Sequence, residues 1–545
     1  MSALPARAPL VRSTAPRFGL EGRVVTMDPN DTVLDRGVVY VDAGRIAAVA
    51  PTGSPPPDGF AGAPVIASGG TIFPGLIELH NHLSYNVIPQ WLVPRRYTNR
   101  DQWSGAPEKR RLISGPMTVL GQTPSYVEAV VRYVEAKCLL GGVTTSQGLT
   151  LASKAGIARY YRGTVRNVEQ TDDPALPEAL TRIPDVEAAD IAKFLARLER
   201  STCLLLHLSE GTDPRARAAF SALRLPDGRW AITPALAGIH GVALTPTDLE
   251  TLAANGGALV WSPLSNLLLY GATADVAAAK AHGLRLALGS DWSPSGSKNL
   301  LGELKVARLV NDALGGPFSD RDLVAMATRN PAAILGWHDA LGSIEPAKRA
   351  DLLVVAGRRG DPYASLLEAR ETAITLVIID GVPRYGQRRL MERFGPGTEP
   401  WRVGRADRLL NLAQDDADPV VGALTLAQAR DRLVDGLGRL PELAEDLERP
   451  RTRAEADAAA PPWTLLLDED EPPGVALRPR FAEGPSWLAA RSLPPAADRA
   501  VPLSELLVPL TLDPPTVADD PRFFDRLAQQ PNLPDHVKQR LPDLY

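Results

Sequence analysis

The sequence predicts an α/β protein: a (β/α)8 barrel of the TIM type, a small β-sandwich built from the segments on either side of it, and a C-terminal extension. Three observations predict it. Short apolar runs alternate with helix-period segments through the middle of the chain, as a βα-repeat requires. Strand-rich segments broken by turn residues flank that stretch on both sides. Histidines and an aspartate stand at the C-terminal ends of several runs, the face on which barrels build their sites.

The first flank, residues 17–70, carries GRVVTMD, GVVYVDAGRIAAV and APVIASGG, β-branched runs punctuated by Asp-Ala-Gly and prolines. A similar pattern returns at 341–386 in LGSIEPAKRADLLVVAG and ITLVIIDGVPRYG, so the two flanks are expected to form one composite β-sandwich. The barrel is expected over 71–340. Its candidate strands are the apolar run leading to His80, then 142–147, 162–168, 202–207, 235–240, 258–261 and 285–290. Helical patterns at 125–140 and 246–255 precede two of them. An eighth strand is needed to close the barrel, and its place is expected between residues 100 and 200. The extension, 387–545, holds a helix capped by Thr425 with Leu426, Ala429, Leu433, Leu437 and Leu440 on one face, a strand-like WTLLL at 463–467, and an acidic run at 468–471 that reads as a solvated loop.

Composition narrows the classes. A hydrophobic fraction of 44% and a charged fraction of 23% are those of a globular protein. A net charge of −5 over 545 residues leaves no basic footprint for nucleic acid. The first twenty residues contain no apolar core of a secretory signal, and no apolar run approaches the ~18 residues of a membrane span. Cys138 and Cys203 lie far apart and suggest no disulfide framework, so a cytoplasmic protein is expected, with a homo-oligomer as the ordinary assembly. The 50 prolines concentrate towards the C-terminus and point to a less regular tail.

The chemistry is written in PGLIELHNHL. His80 and His82 are two residues apart at the end of an apolar run, so on a strand both imidazoles face one side while Asn81 faces the other. His207 ends LLLH, His240 ends LAGIH, and Asp291 follows LRLALGS. Each histidine alone reads as a hydrogen-bonded core residue. Converging at one barrel mouth, three neutral imidazoles and a carboxylate suit Zn²⁺ or Fe²⁺ with a position left open for water. Arg166, at a strand end, could face an anionic substrate group or form a structural salt bridge. The loop 83–124 carries Tyr85, Trp91, Arg95, Arg96, Tyr97 and Trp103, and reads equally as a specificity element or as a self-packed loop. His282, His338 and His536 fall outside the strand-end pattern.

The ordered set HxH, His, His, Asp resembles the amidohydrolase superfamily, and the resemblance runs from about residue 20 to 386 through GVTT, HGVALTPTD and GSDWSPSGS. HLSEG at 207–211 is similar to the H-x-x-E element of the branch that contains guanine deaminase, adenosine-derivative deaminases and triazine chlorohydrolases. The resemblance implies one divalent metal, Zn²⁺ first and Fe²⁺ second, held by His80, His82, His207 and Asp291. It implies that Asp291 takes a proton from water, that His240 contacts that water, and that Glu210 protonates the substrate nitrogen. Ser295 and Trp292, just past Asp291, are implied to touch substrate. The expected activity is hydrolysis of a carbon–nitrogen bond in a small cyclic amidine or amide, heterocycle deamination first. A ring-opening cyclic amidase of the imidazolonepropionase kind is the alternative, and a non-catalytic assembly protein on the same barrel is a third.

Overall fold

The computed structural model describes residues 17–395, 398–414, 418–450, 452, 461–467, 475–476, 479, 481 and 501–545; the acidic run at 468–471 lies outside the described residues. Two arcs of parallel strands build the barrel. One runs Leu76–Ile77, Val143–Ser146, Arg166–Asn167, and the other Leu204–Leu208, Leu236–His240, Ala258–Trp261, Arg285–Leu288. The arcs meet twice. Leu180 bridges Leu204 in parallel on one side, and Asn81 bridges Asp291 in parallel on the other. At the second junction the His82 N–H donates to the Asp291 carbonyl (2.6 Å) and the Asp291 N–H to that of His80 (3.0 Å). The segment at Leu180 thus fills the eighth position, inside the expected window.

Why these runs form barrel strands is visible in which face each residue buries. Leu205, Ala237, Ile239, Val260, Ala287, Ile77 and Val168 share one buried cluster, while Leu204, Leu206 and Leu208 belong to another that includes the helices. Alternation with period two therefore separates barrel interior from helix layer, and both faces are apolar because both are covered. The same alternation puts His207 on the side of Leu205. The barrel helices form where expected: Tyr126–Leu140 and Pro246–Ala254, the latter opened by a reciprocal Thr245–Asp248 capping box.

Strands from both flanks form one hydrogen-bonded sheet of nine among the described residues. Val65–Pro74 and Leu352–Ala356 pair antiparallel at its centre and join the two ends of the chain. The hairpin between Val33–Asp42 and Arg45–Pro51 turns at Ala43 (φ 47°) and Gly44 (φ 79°), the left-handed pair that a tight two-residue turn needs. Two strands, Glu399–Val403 and Ala406–Leu410, come from the segment expected to be a separate extension; they widen this sheet instead.

Other described parts of the extension pack on the barrel. Thr425 caps the helix Leu426–Gly438, whose Leu426, Ala429, Leu433 and Leu437 are buried, and the Tyr126 hydroxyl donates to Asp435 (2.7 Å). Leu440, expected on the same helix, instead opens the next one, Leu440–Glu448. Trp463–Leu466 pairs antiparallel with Thr150–Ser153. No helix among the described residues is long and apolar enough to cross a membrane.

Arg166 ties barrel to sheet. Its buried guanidinium pairs with Asp351 (2.6 Å) and Asp380 (2.8 Å). Burial opposes its charge, but the two carboxylates outweigh that and raise its pKa. Of the two readings above, the structural salt bridge is the one its contacts match. Arg166→Met leaves two buried carboxylates without their shared cation. It is expected to cost about 3–5 kcal/mol in denaturant unfolding.

Candidate metal centre

The barrel mouth gathers the strand-end residues into one buried cluster. His80, His82, His240 and Asp291 are each at most 5% exposed, and His207 is partly exposed. The ring of His80 lies 4.8 Å from that of His82, 4.9 Å from His207 and 5.0 Å from His240, centre to centre. His80 Nε2 approaches Asp291 Oδ1 at 3.2 Å and His82 Nε2 approaches the same oxygen at 3.4 Å. In two groups, His80–His82–Asp291 and His80–His207–His240, the potential donor atoms lie within 4.8 Å of one another.

Local backbone geometry aims these side chains. His240 (φ 71°), Asp291 (φ 66°) and Ser209 (φ 53°) all adopt left-handed conformations that cost non-glycine residues about 1–3 kcal/mol each. The strand must break there for a side chain to turn into the mouth. Gly289 allows a close approach: a Cβ at that position would sit 2.5 Å from the His80 Cβ.

The donor set fits a divalent cation. The Nε2 atoms of His80 and His207 are buried and have no hydrogen-bond partner. Buried imidazole nitrogens left so are costly unless something accepts their lone pairs. The tautomers agree: His80 Nδ1 donates to Gln147 Oε1 (3.2 Å) and His240 Nδ1 to Asn266 Oδ1 (3.0 Å), which leaves each Nε2 as a lone pair facing the cluster. Burial, reinforced by the positive Arg100, lowers the His207 pKa well below its ordinary value, and burial lowers that of His240. Burial works against the Asp291 carboxylate, yet His80, His82 and His240 together hold its pKa far below the usual range. Imidazole nitrogens gathered with an ionised carboxylate in one buried space are the donors that such an ion binds.

Glu210 completes the mouth. Its Oε2 lies 3.7 Å from His240 Nε2 and accepts from Arg100 Nη1 (2.7 Å), and its Oε1 accepts from the Tyr270 hydroxyl (2.8 Å). Arg100 can reach it because Gly211 lets residues 98 and 99 pass close: a Cβ there would meet the Thr98 carbonyl at 2.3 Å. Trp292 packs between His82 (6.0 Å), Tyr85 (5.1 Å) and Trp103 (5.8 Å), forming an aromatic wall. Its indole N–H donates to Ser295, whose hydroxyl lies 3.4 Å from that of Ser265, which in turn donates to Asp291.

The structure thus brings together His80, His82, His207, His240, Asp291, Glu210, Trp292 and Ser295; Arg166 is held away by its ion pairs with Asp351 and Asp380. Sequence reasoning missed Gln147, Asn266, Ser265, Arg100 and Tyr270. Gln147 could have been found, because it ends an expected strand. The others stand on helices or loops that only the fold brings to the mouth. In the segment 83–124, Tyr85 and Trp103 pack against Trp292 beside the cluster, while Trp91 and Tyr97 pack on each other (6.2 Å).

The model of the amidohydrolase family matches residues 71–384, more than half of the chain. The chain belongs to the amidohydrolase family. It is a metal-dependent hydrolase of carbon–nitrogen bonds other than peptide bonds. Among its relatives is the 5-methylthioadenosine/S-adenosylhomocysteine deaminase of Symbiobacterium thermophilum, 26% identical over 66% of this chain and 91% of that protein. Two solved structures share the fold. A zinc-bound adenosine deaminase from Xanthomonas campestris has a TM-score of 0.52 at 19% identity, over 77% of this chain and 98% of that one. A zinc complex of atrazine chlorohydrolase from Arthrobacter aurescens TC1 has a TM-score of 0.50 at 19% identity, over 67% and 94%.

Gln147 holds His80 without touching the cluster centre itself. Gln147→Ala is expected to weaken divalent-metal affinity by about 10- to 100-fold, read by competition with a chelator, with the overall fold retained by circular dichroism.

Proposed function

We propose that this amidohydrolase removes an exocyclic amino group from a small nitrogen heterocycle, using one divalent ion, zinc first, held by His80, His82, His207 and Asp291. The observation that carries the reading is the meeting of Glu210 with His240 beside the ligand set, within 3.7 Å. Departure of an amine needs a proton delivered to nitrogen, and Glu210 is the carboxyl placed to deliver it. The deaminase named among the relatives and the zinc in both structural neighbours support the same choice.

The chemistry such an ion supplies when bound is that of a Lewis acid, under which water ionises near pH ~7. Asp291 takes the proton from the attacking water, its carboxylate kept ready by the surrounding imidazoles. His240 accepts a hydrogen bond from the attacking water through its Nε2 and so holds it, its ring kept in place by Asn266. Glu210 passes its proton to the ring nitrogen. The proton that Asp291 took from water, relayed through Glu210, goes to the leaving amine, and the hydroxyl proton restores Glu210 as the carbonyl forms. Arg100 and Tyr270 hold both of its oxygens in position until substrate arrives. The wall of Trp292, Tyr85 and Trp103 offers a flat apolar surface against which a planar ring stacks, and Ser295 lies at its edge. The two buried free thiols suit a reducing cytoplasm, where we place the protein as a homo-oligomer.

Glu210→Gln is expected to lower kcat for ammonia release about 10²- to 10⁴-fold while metal content by elemental analysis stays unchanged. Full activity in that variant would remove the proton-transfer role. His80→Ala is expected to lose both metal and turnover. Screening a panel of amino-substituted heterocycles for ammonia tests the reaction class; a product formed without ammonia would assign ring opening instead.

A further inference from the structure

The family match ends at residue 384, yet residues 501–545 reach the barrel mouth. Asp513 is 1% exposed, and its carboxylate sits between Lys137 Nζ (2.8 Å) and Lys298. Lys137 is a junction. Its ammonium also donates to the Asn86 carbonyl (2.7 Å) and to the Ser293 hydroxyl (3.0 Å). Asn86 lies on the loop after His82, and Ser293 on the loop after Asp291. The Asn86 side chain accepts from the Ser293 N–H (2.8 Å) and donates to Asn81 (2.8 Å), the residue between the two histidines. One ammonium therefore links the tail to the loops that follow His82 and Asp291.

A second contact repeats the pattern. Buried Gln530 donates to the Trp91 carbonyl (2.7 Å) and accepts from the Val93 N–H (3.2 Å). The Trp91 N–H in turn donates to the Pro294 carbonyl (2.7 Å), again joining the loop after His82 to the loop after Asp291. Apolar side chains would fasten a tail at no desolvation cost. Directional polar contacts to loop backbones do something else: they fix where the loops stand.

We infer that residues 501–545 are a positioning strap for the metal centre, with Lys137 and Asp513 as positioning residues that act through Asn86 and Ser293. The inference rests on the ligand reading above. Its test compares zinc affinity by chelator competition, kcat and KM for wild type and Lys137→Met, in which Asp513 keeps Lys298 as partner. Zinc affinity is expected to fall about 10- to 100-fold and kcat with it, while KM changes little. Asp418→Asn, which breaks the Arg159 ion pair elsewhere in the extension (2.5 Å), is the control: it is expected to lower thermal stability and leave zinc affinity unchanged. If Lys137→Met does not fold, Gln530→Ala removes only two hydrogen bonds and carries the same comparison. Folded variants with wild-type zinc affinity and kcat would overturn the strap alone. A wild-type protein that takes up no zinc would overturn the ligand reading and the strap together.

Discussion

Imidazole lone pairs facing one another in a buried space are the constraint on which this structure turns. The rings of His80, His82, His207 and His240 lie within 5.4 Å of at least one other, centre to centre, around a single carboxylate. The Nε2 atoms of His80 and His207, buried there without hydrogen-bond partners, oppose folding unless a cation takes them up. Much of the neighbouring chemistry reads as a response. Gln147 and Asn266 spend the outer nitrogens of His80 and His240 so that the inner ones point the same way. Left-handed backbone at Ser209, His240 and Asp291 is the strain accepted to turn three strand ends into the mouth.

Apolar packing answers that local cost. The barrel interior is filled by small and branched residues from neighbouring strands, Ala237, Ile239, Val260 and Ala287 among them, with helices covering the other face. A cleanly divided core lets the mouth carry polar groups that contribute nothing to packing. The closure at Asn81 and Asp291 shows how close function lies to architecture: the bridge that completes the barrel falls between His80 and His82 on one side and on the candidate ligand itself on the other. Change in that strand pairing would move metal ligands before it moved anything else.

Most of the fold was legible because it follows from period and burial. Five of the seven strand expectations fall within a few residues of the observed elements, since a strand buried on both faces must be a short apolar run. The other two, Leu76–Ile77 and Arg166–Asn167, are only two residues long within their runs. The eighth segment at Leu180 escaped notice because a single bridge leaves no run to read. The candidate ligands were legible as strand ends, but what holds them was not. Arg100 and Tyr270 converge on Glu210 from a loop and a helix end far away in sequence, and no local pattern marks such an encounter. Arg166 illustrates the opposite hazard: a charged strand-end residue looks functional until its two carboxylate partners are seen.

The extension was the least legible part, and the reason is physical. The Thr425-capped helix was read from its period, but the contacts that residues 501–545 make near the mouth are single polar residues along irregular chain, which neither periodicity nor motif reports. Asp513, Gln530 and Asn532 each reach a backbone or ammonium group near the mouth; Asn532 donates to the carbonyls of Arg95 (3.0 Å) and Leu268 (2.8 Å). A barrel loop as long as 83–124 has many conformations to lose on ordering, roughly 1–2 kcal/mol per residue of backbone alone. Barrel residues hold some of its carbonyls, as Lys137 does that of Asn86 and the Thr212 N–H that of Thr98. The tail supplies others, at the carbonyls of Trp91 and Arg95, from outside the barrel. On this view the added chain is not a separate module but the part of the fold that lets a long, aromatic-rich loop stand in one place over the metal centre.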